Sequence, residues 1–581
     1  MKPSRRRIPQ ATAHSITRSE VIPLKYMMKV SKSIILLAAI AHISPQVFAA
    51  DNSIRRVENI FDDGAVELEV VGETTDLFTD KSFEFEADGL FSMSMSMNYV
   101  EYEAISTEEP IESSINTVAT EDTGVGVAAV NMLNNQILCG YQGWYSFPGD
   151  GAPINRWRHW FKGSAATVSA PLASDLSVDM YPTMDEYNPE DLKESGIKMK
   201  DGSNAKFFSS SRPNVVLKHF QWMKTYGISG VFQVRFMESL QIDANRETKT
   251  MVLRNSKAAA EATGRIFALS YDLSGASITD AVLDDLKADW IRLVDKENIT
   301  QSTQYIRQND LPVLNIFGIG FATVNVSDTT KMAALIKWLQ NDAPAAYRVF
   351  LVGGVPSRWR TLDGDSRTDP AWKGIYDSLD AIHPWHVGRW KSISAFDTYY
   401  TNTISADATY CASKGILYLP TMWPGFSWHN LKSGTVPVNS IPRLGGTFMW
   451  RQAYKYAAAS NINTVWLAMF DEVDEGTAIF KVTAKSSDLP VEGTWLALDA
   501  DAGYSVPSDH YLRLAGEAQK MLDGRIPVSG TFPTPSPTRA PTQKPTTKAP
   551  VTKAPTLKPT TKAPTKRPVK PTKQKRRRVD I

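Results

Sequence analysis

The acidic run Asp471-Glu472-Val473-Asp474-Glu475 is the densest group of reactive side chains in the sequence. Cleavage of a glycosidic bond requires one protonated carboxyl that donates to the leaving oxygen and one ionised carboxylate that serves as nucleophile or base. Carboxylates held close together separate their pKa values, so Glu472 and Glu475 suit these two roles. In isolation, an acidic run is more typical of a solvated loop or a cation site. The choice depends on where the fold places the run.

The run follows the last of eight apolar segments that have the composition of β-strands, and a segment of helical periodicity follows each of them. This repeated order predicts an α/β fold, a (β/α)₈ TIM barrel, over residues 126–529. The carboxyl ends of the strands of such a barrel meet at one end, where the active site is built, so the position of the acidic run favours catalysis. The predicted strands are 137–145, 230–236, 265–271, 312–318, 348–354, 381–387, 416–423 and 464–470, and the predicted helices are about 214–226, 247–263, 278–296, 328–341, 370–379, 393–414, 443–459 and 509–523.

Aromatic and charged side chains are concentrated at the same predicted strand ends. Indole and phenol rings stack on the apolar faces of sugars while carboxylates and arginines bind the hydroxyls, so this mixture predicts a carbohydrate cleft. Packing in the barrel core explains any single tryptophan equally well. The predicted substrate-binding residues are Trp144, Tyr145, Arg235, Tyr271, Asp272, Trp359, Arg360, His386, Arg389, Trp423 and Trp428, together with Asp471 and Asp474.

The charges of Asp471 and Asp474 are expected to raise the pKa of at least one catalytic carboxyl. A bound cation, Arg235, Arg360 or Arg389 would cancel this effect by neutralising the cluster.

Other chemistries find less support in the sequence. It contains neither of the common glycine-rich phosphate loops and no H-E-x-x-H motif. His383 and His386 are three residues apart, which places them on opposite faces of a strand, so polar histidines with satisfied hydrogen bonds are favoured over a metal pair. Ser209-Ser-Ser211 has no partner constellation for a serine hydrolase. We therefore predict no metal site and no organic cofactor.

The first 50 residues have the features of a secretory signal. An apolar run at 34–43 follows Lys29 and Lys32 and precedes the small-residue end Val47-Phe-Ala-Ala50. The run is too short to cross a bilayer, which takes about 20 residues, so a secreted, extracellular or cell-wall protein without a membrane span is predicted. Secretion leaves two alternatives for Cys139 and Cys411, a disulfide or two buried thiols. Sequons at 298–300 and 325–327 predict a glycoprotein.

The net charge of +2 is distributed unevenly over the chain. Residues 51–125 contain 19 acidic and 3 basic side chains and are interpreted as an acidic linker or propeptide. Residues 530–581 contain 14 basic residues and 1 acidic residue among repeated Pro, Thr and Lys, which predicts a disordered tail. The tail either binds an anionic matrix, such as an acidic polysaccharide, or is a solvated segment with no partner. The signal sequence disfavours nucleic acid as its partner.

Several motifs in the barrel region resemble glycoside hydrolase families 99 and 71, the endo-α-mannosidases and α-1,3-glucanases. The matched order covers nearly all of 137–480, and it adds His159, Trp160 and Tyr181 to the predicted substrate-binding residues. The motifs are Gly140-Tyr-Gln-Gly-Trp144, Arg156-Trp-Arg-His159-Trp160, Asp179-Met-Tyr-Pro182, Leu217-Lys-His219-Phe-Gln-Trp222-Met, Val231-Phe-Gln-Val-Arg235-Phe, Gly353-Gly-Val-Pro356 and Phe470-Asp-Glu472-Val-Asp-Glu475-Gly-Thr477.

The resemblance implies that Glu475 is the general acid and Glu472 the general base. In the mannosidase family the base is thought to deprotonate the 2-hydroxyl of the sugar, which attacks the anomeric carbon and gives net retention. The chain has Asp471, Val473 and Asp474 where that family has Asn, Trp and His. The two glutamates and their spacing match the family, whereas the Trp and His that contact its substrate do not.

These observations predict a secreted retaining glycosidase that acts on an α-linked glycan or polysaccharide of mannan or glucan type. The alternative is a non-catalytic wall or matrix glycoprotein whose barrel binds carbohydrate and whose cationic tail anchors it.

Overall fold

Strands and helices alternate along the chain as predicted, and the (β/α)₈ fold is confirmed. The computed structural model describes residues 130–324 and 328–533. The predicted leader, the acidic segment 51–125, the sequon at 325–327 and the tail beyond Pro533 lie outside these residues.

All eight predicted barrel strands are present. Most are buried on both faces, as expected for parallel strands covered by helices, and every residue of Gly230–Phe236 is buried. The strands are β1 Gln136–Tyr141, β2 Leu192–Lys198, β3 Asn204–Phe208, β4 Gly230–Phe236, β5 Ile266–Asp272, β6 Arg307–Gln308, β7 Leu311–Phe317, β8 Phe350–Val355, β9 Ala381–Pro384, β10 Leu417–Tyr418, β11 Thr421–Met422 and β12 Thr464–Leu467.

The seventh barrel strand is divided in two, and its halves close the barrel. The order of the parallel strands runs β9, β8, β7, β5, β4, β1, β12. β10 pairs with β9 and β11 pairs with β12, so the run 417–422 joins the two edges of the sheet. The change of partner occurs at Leu419, which donates to Ile382, and at Pro420, which accepts from Trp466. Proline has no N–H to continue a ladder, which explains the break.

Helices follow the strands on the outside of the barrel. The π-helical turn Tyr400–Ile404 connects α7 to α8, so these two occupy the single helix predicted at 393–414. The helices are α1 Pro213–Tyr226, α2 Met237–Leu240, α3 Asp243–Thr263, α4 Asp280–Asp295, α5 Thr329–Lys337, α6 Ala371–Asp377, α7 Ile393–Tyr399, α8 Ser405–Lys414, α9 Thr447–Ala457 and α10 His510–Leu522. None of the helices in the described parts of the chain is both long and apolar enough to cross a bilayer.

The two long connections, after β1 and after β12, pack against each other at the carboxyl end of the strands. The first contains the antiparallel hairpin β2–β3, which the sequence analysis did not predict. Bridges join Met180 to Leu496 and Pro182 to Val482. The extra length of this barrel therefore forms one wall beside the acidic run.

Both cysteines are buried free thiols. Cys139 lies on β1 in the sheet, and Cys411 lies on α8 in the helix layer. Burial raises the pKa of both thiols, with smaller contributions from nearby aspartates. Of the two alternatives for the cysteines, the disulfide is therefore wrong.

The last described residues return to the carboxyl end of the barrel. Phe532 stacks on His510, with ring centroids 6.1 Å apart, and meets Trp450 edge-on at 6.4 Å. His510 is the first residue of α10 and Trp450 lies in the first turn of α9. Helices that follow barrel strands begin at the carboxyl end of the strands, so Phe532 is fixed near that end.

Candidate functional site

The segment 471–477 forms a tight turn directly after the eighth barrel strand. The amide of Ala478 donates to the carbonyl of Glu472 at 2.7 Å, which closes the turn on itself. The amide of Ser427 donates to the carbonyl of Glu475 at 2.8 Å, so the loop after the seventh strand fixes the turn. Asp471, Asp474 and Glu475 are 0% exposed and Glu472 is 1% exposed. A solvated loop, the first alternative for an acidic run, is therefore excluded.

Glu472 has one satisfied and one unsatisfied carboxylate oxygen. Its Oε2 accepts a hydrogen bond from the hydroxyl of Thr477, and its Oε1 has no partner among the described residues. Burial raises the pKa of Glu472, the hydrogen bond from Thr477 lowers it, and the charge of Asp471 raises it further, leaving the pKa well above its usual value. A carboxyl of raised pKa ionises at higher pH and is then a stronger base.

Asp471 is held by the backbone of the loop after β1. The amides of Gln142 and Gly143 donate to its carboxylate at 2.8 to 3.1 Å. Burial raises the pKa of Asp471, and these two hydrogen bonds and the charge of Lys249 partly oppose that rise. The residue that replaces the Asn of the resembled motif thus fixes the loop that carries Trp144.

Lys249 is a buried cation whose charge acts on Asp471, and it was not predicted from the sequence. Its side chain is 4% exposed, and its Nζ lies 4.4 Å from the Trp144 ring centroid and 3.4 Å from the carbonyl of Gln142. It lies on the buried face of α3 with Val252 and Ser256, at helical spacing. The sequence contained a signal for this residue, because a lysine at this spacing interrupts a helix face that otherwise points to the core.

The three arginines that could have neutralised the acids are paired elsewhere. Arg235 binds Asp289 at 2.6 and 2.8 Å through two nitrogens, Arg360 binds Asp407 at 2.6 Å and Arg389 binds Asp365 at 2.6 Å. The pKa of Glu472 and that of Asp471 are raised, as expected in the absence of such neutralisation.

Trp144 and His159 form a stacked pair beside Lys249. Their ring centroids lie 3.7 Å apart with an interplanar angle of 7°, and the Trp144 Nε1 has no hydrogen-bond partner among the described residues. Burial, followed by the charges of Arg158 and Lys249, lowers the pKa of His159 well below its usual value, so the ring is neutral. The structure therefore brings two residues of the predicted cleft together near Asp471.

Tyr145, Trp160 and Tyr181 have structural contacts instead. Tyr145 stacks on Trp160 at 3.7 Å, whose Nε1 donates to the carbonyl of Phe208. The hydroxyl of Tyr181 donates to the carbonyl of Lys206 at 3.0 Å and accepts from its amide at 3.1 Å. These contacts fix the hairpin β2–β3, and substrate binding by the three residues stays a prediction.

Tyr271 and Asp272 point to opposite sides of β5. The Tyr271 hydroxyl donates to Asp289 on α4, in the same cluster as Arg235. Arg235 and Tyr271 therefore face the helices, and their predicted role at the cleft is corrected. Alternation along the strand turns Asp272 to the barrel interior. Burial, opposed by hydrogen bonds from Ser274, raises the pKa of Asp272 to about 6.

Trp359 and Arg360 also face the helix layer. Trp359 meets Tyr376 and Tyr410 edge-on, both at 5.7 Å. Both rings lie on helices, as does Asp407, the partner of Arg360. The predicted role of this pair in substrate binding is corrected because the chain turns outward after β8.

His386, Trp423 and Trp428 lie beyond the carboxyl ends of the sixth and seventh strands. Both ring nitrogens of His386 lack a partner among the described residues, and burial, followed by the charge of Arg389, lowers its pKa to about 3. The indole of Trp423 packs edge-on against Phe448 at 4.9 Å. Trp428 is partly exposed.

No cluster of three or more His, Cys, Asp or Glu side chains that could hold a metal ion occurs within 130–324 and 328–533. The two histidines that the sequence left as a disfavoured metal pair have separate neighbours: His383 stacks on Trp466 at 4.0 Å and His386 meets Tyr399 edge-on at 5.6 Å.

No family model matches the sequence, and no curated protein matches it either. Among solved structures, two of the GH99 endo-alpha-mannosidase from Bacteroides thetaiotaomicron, one in complex with BIS-TRIS-propane, are 13% identical. They cover 68% of this chain and 98% of theirs, with TM-scores of 0.47 and 0.46. The endo-beta-1,4-mannanase from Thermotoga petrophila is 11% identical over 54% of this chain and 74% of its own, with a TM-score of 0.34.

Proposed function

We propose that the protein is a secreted retaining glycoside hydrolase that acts on an α-linked glycan or polysaccharide of mannan or glucan type. The observation that carries the proposal is the burial of Glu472 and Glu475 in one tight turn at the carboxyl end of the eighth barrel strand. Active sites of (β/α)₈ barrels are built at this end.

Buried polar atoms without a partner at the carboxyl ends of several strands support a ligand rich in hydroxyl groups. Buried polar groups normally have hydrogen-bond partners, so a concentration of exceptions requires an explanation. Sugar hydroxyls both donate and accept, which matches the mixture of indole, imidazole, amide and carboxylate atoms. Atoms without a partner among the described residues, all at carboxyl ends of strands, are Gln142 Oε1, Trp144 Nε1, His386 Nδ1 and Nε2, Trp390 Nε1, Trp423 Nε1 and Glu472 Oε1.

In the proposed reaction Glu472 takes the proton of the 2-hydroxyl, and that oxygen attacks the anomeric carbon. Glu475 gives its proton to the departing oxygen, and the glycosidic bond breaks. Water then attacks the anomeric carbon and gives a proton to Glu475, while the 2-oxygen leaves the anomeric carbon and recovers its proton from Glu472. Two displacements give net retention.

The replaced motif positions argue that the substrate is not recognised through the Trp and His contacts of the resembled family. Val473 is 0% exposed and belongs to the hydrophobic core, so no ring is available at the position of the family's Trp. The Trp144 and His159 stack beside Lys249 provides the alternative recognition surface.

The test is a panel of α-mannans and α-1,3-glucans with measurement of reducing ends and of product anomers. Release of a retained-configuration product that disappears in Glu472→Gln and Glu475→Gln supports the proposal. Saturable binding without product in the wild-type protein would establish the non-catalytic alternative.

We also propose that the cationic tail holds the protein on an anionic polysaccharide outside the cell. The proposal rests on the 14 basic residues and 1 acidic residue of 530–581. Because Phe532 packs on the barrel, the deletion to compare with the full chain is 534–581. Retention of the full chain alone on an acidic polysaccharide column, lost at high salt, supports anchoring. Equal retention of the two proteins refutes it.

A further inference from the structure

Asp179 lies where three loops of the carboxyl end meet. Its Oδ2 accepts from the Ser427 hydroxyl at 2.5 Å and from the His429 amide at 2.7 Å, and its Oδ1 accepts from the Asn430 amide at 2.8 Å. Asp179 is 0% exposed. All three donors belong to the loop after the seventh strand, so one buried carboxylate connects this loop to the connection after β1.

The same residue is linked to the acidic turn through the backbone. The amides of Asp179 and Met180 donate to the carbonyl of Val473 at 3.2 and 3.3 Å, and the amide of Ser427 donates to the carbonyl of Glu475 at 2.8 Å. The carbonyls on the two sides of Asp474 are thus held by the two segments that the Asp179 side chain joins. A shift between those segments moves the backbone of Glu475.

Trp428 is fixed by the same contacts, since it lies between Ser427 and His429. Its ring is partly exposed and packs on Phe426 at 5.1 Å. A partly exposed indole at this end of the barrel is suited to stacking on a sugar face. Asp179 therefore connects the position of the proposed acid with that of a stacking surface.

We propose that Asp179 is a positioning residue that sets Glu475 and Trp428 relative to each other, an inference that rests on the proposed glycosidase function. The partners of its carboxylate are all donors, and a carboxylate offers only acceptors. The side-chain amide of an asparagine at this position would direct its own N–H group toward a group that also donates. The loops would separate by the amount needed to relieve that contact.

The test is Asp179→Asn, measured on whichever of α-mannan or α-1,3-glucan the wild-type protein cleaves. Misplacement by about 1 Å costs on the order of 10²-fold, so kcat is expected to fall by about that factor. KM is expected to rise several-fold, about 3 to 10, because Trp428 moves as well. Binding of the same polysaccharide in a Glu475→Gln background, followed by tryptophan fluorescence, is expected to weaken by a similar factor.

Asp150→Asn is the matched control. Asp150 is 3% exposed and accepts from the Ser209 hydroxyl at 2.7 Å and from the amides of Phe147 and Ala152 at 3.2 and 2.8 Å. Its donor set is the same in kind, but none of these donors lies in the loop after the seventh strand or in the acidic turn. Its variant is expected to lose a similar amount of thermal stability and to keep kcat within about 3-fold. Equal kinetic losses in the two variants would overturn the proposal.

Two smaller changes cover the case in which Asp179→Asn fails to fold. Ser427→Ala removes one donor to Asp179, and we expect an intermediate loss in kcat of about 10-fold. Ser427→Thr keeps the hydroxyl and is expected to restore most of it. Wild-type kinetics in Ser427→Ala would overturn the proposal. Absence of product from the wild-type protein would instead refute the glycosidase function, so the two failures are distinguishable.

Discussion

Two buried acid groups in this barrel, Asp289 and Glu472, differ in whether a cation is paired with them. Asp289, between α4 and the strands, accepts from Arg235, Arg292 and the Tyr271 hydroxyl, and both of its oxygens are bonded. Burial acts to raise the pKa of Asp289, but Arg235 and these hydrogen bonds lower it overall. Glu472 is equally buried, accepts one hydroxyl, and has a raised pKa.

The comparison distinguishes a carboxylate that is fully paired from one that has hydrogen-bonding capacity left. A buried charge that is paired in full stabilises the fold and is committed to its partners. A buried carboxyl with an unsatisfied oxygen has a pKa and a hydrogen-bonding capacity that a substrate can use. Residue type alone does not distinguish Asp289 from Glu472.

The largest expected difference is in activity. Glu475→Gln is expected to lower kcat/KM by about 10³-fold or more, because the proton donor is lost. Its free energy of unfolding should change by less than about 1 kcal/mol, since an amide is cheaper to bury than a charge. Assays on the cleaved polysaccharide and urea unfolding measure the two quantities. A large stability loss with retained activity would reverse the assignment of the two groups.

The reciprocal change is Asp289→Ala. It leaves Arg235 buried without its partner, and breaking such a pair costs about 3 to 5 kcal/mol. Urea unfolding monitored by tryptophan fluorescence should show this loss. The kcat of the folded fraction should remain within about 3-fold of wild type, and a much larger drop would mean that the cluster contributes to catalysis.

The two groups should respond to pH in opposite directions. Because folding lowers its pKa, Asp289 contributes stability at pH values above the pKa of the unfolded chain, about 3.9. That contribution is lost as pH falls through the folded pKa. Because folding raises its pKa, Glu472 contributes stability at pH values below the pKa of the unfolded chain, about 4.3. That contribution is lost as pH rises through the folded pKa. Glu472→Gln should therefore be more stabilising, relative to wild type, at pH 7 than at pH 4. Identical differences at both pH values would contradict the raised pKa.

The smallest expected effect concerns the hydroxyl of Thr477. Thr477→Val removes the hydrogen bond that lowers the pKa of Glu472, so the acidic limb of the activity profile should move to higher pH by up to about 1 unit. Thr477→Ser keeps the hydroxyl and should leave the limb in place. An unshifted limb in the valine variant would show that another group controls it.

The periodicity of apolar residues was sufficient to predict the barrel. Strands that are buried on both faces appear in the sequence as apolar runs, and helices have a stripe of apolar residues on one face. All eight strands and the helix after each are present within a few residues of the predicted bounds. The hairpin β2–β3 was missed because its short strands lie in a loop-rich connection. The break at Pro420 was missed because the apolar run continues through it.

The site was less predictable because it depends on which face of a strand each residue occupies. A shift of one residue moves a side chain from the interior to the helix layer, which separates Tyr271 from Asp272. The acidic turn could be found because it follows a strand directly. Lys249 could not be found from strand ends because it comes from a helix, and Asp179 could not because its partners are more than 240 residues away in sequence.

Phe532 is connected to the acidic turn through a short series of contacts. His510, on which Phe532 stacks, contacts the carbonyl of Gly445 at 2.8 Å. Arg443, two residues earlier, donates to the carbonyl of Gly476, next to Glu475, at 2.9 Å. Pro533, the last described residue, therefore lies at the same end of the barrel as the acidic turn. Under the proposed anchoring, the local concentration of a bound polymer near this end would be set by the tether, not by the bulk solution.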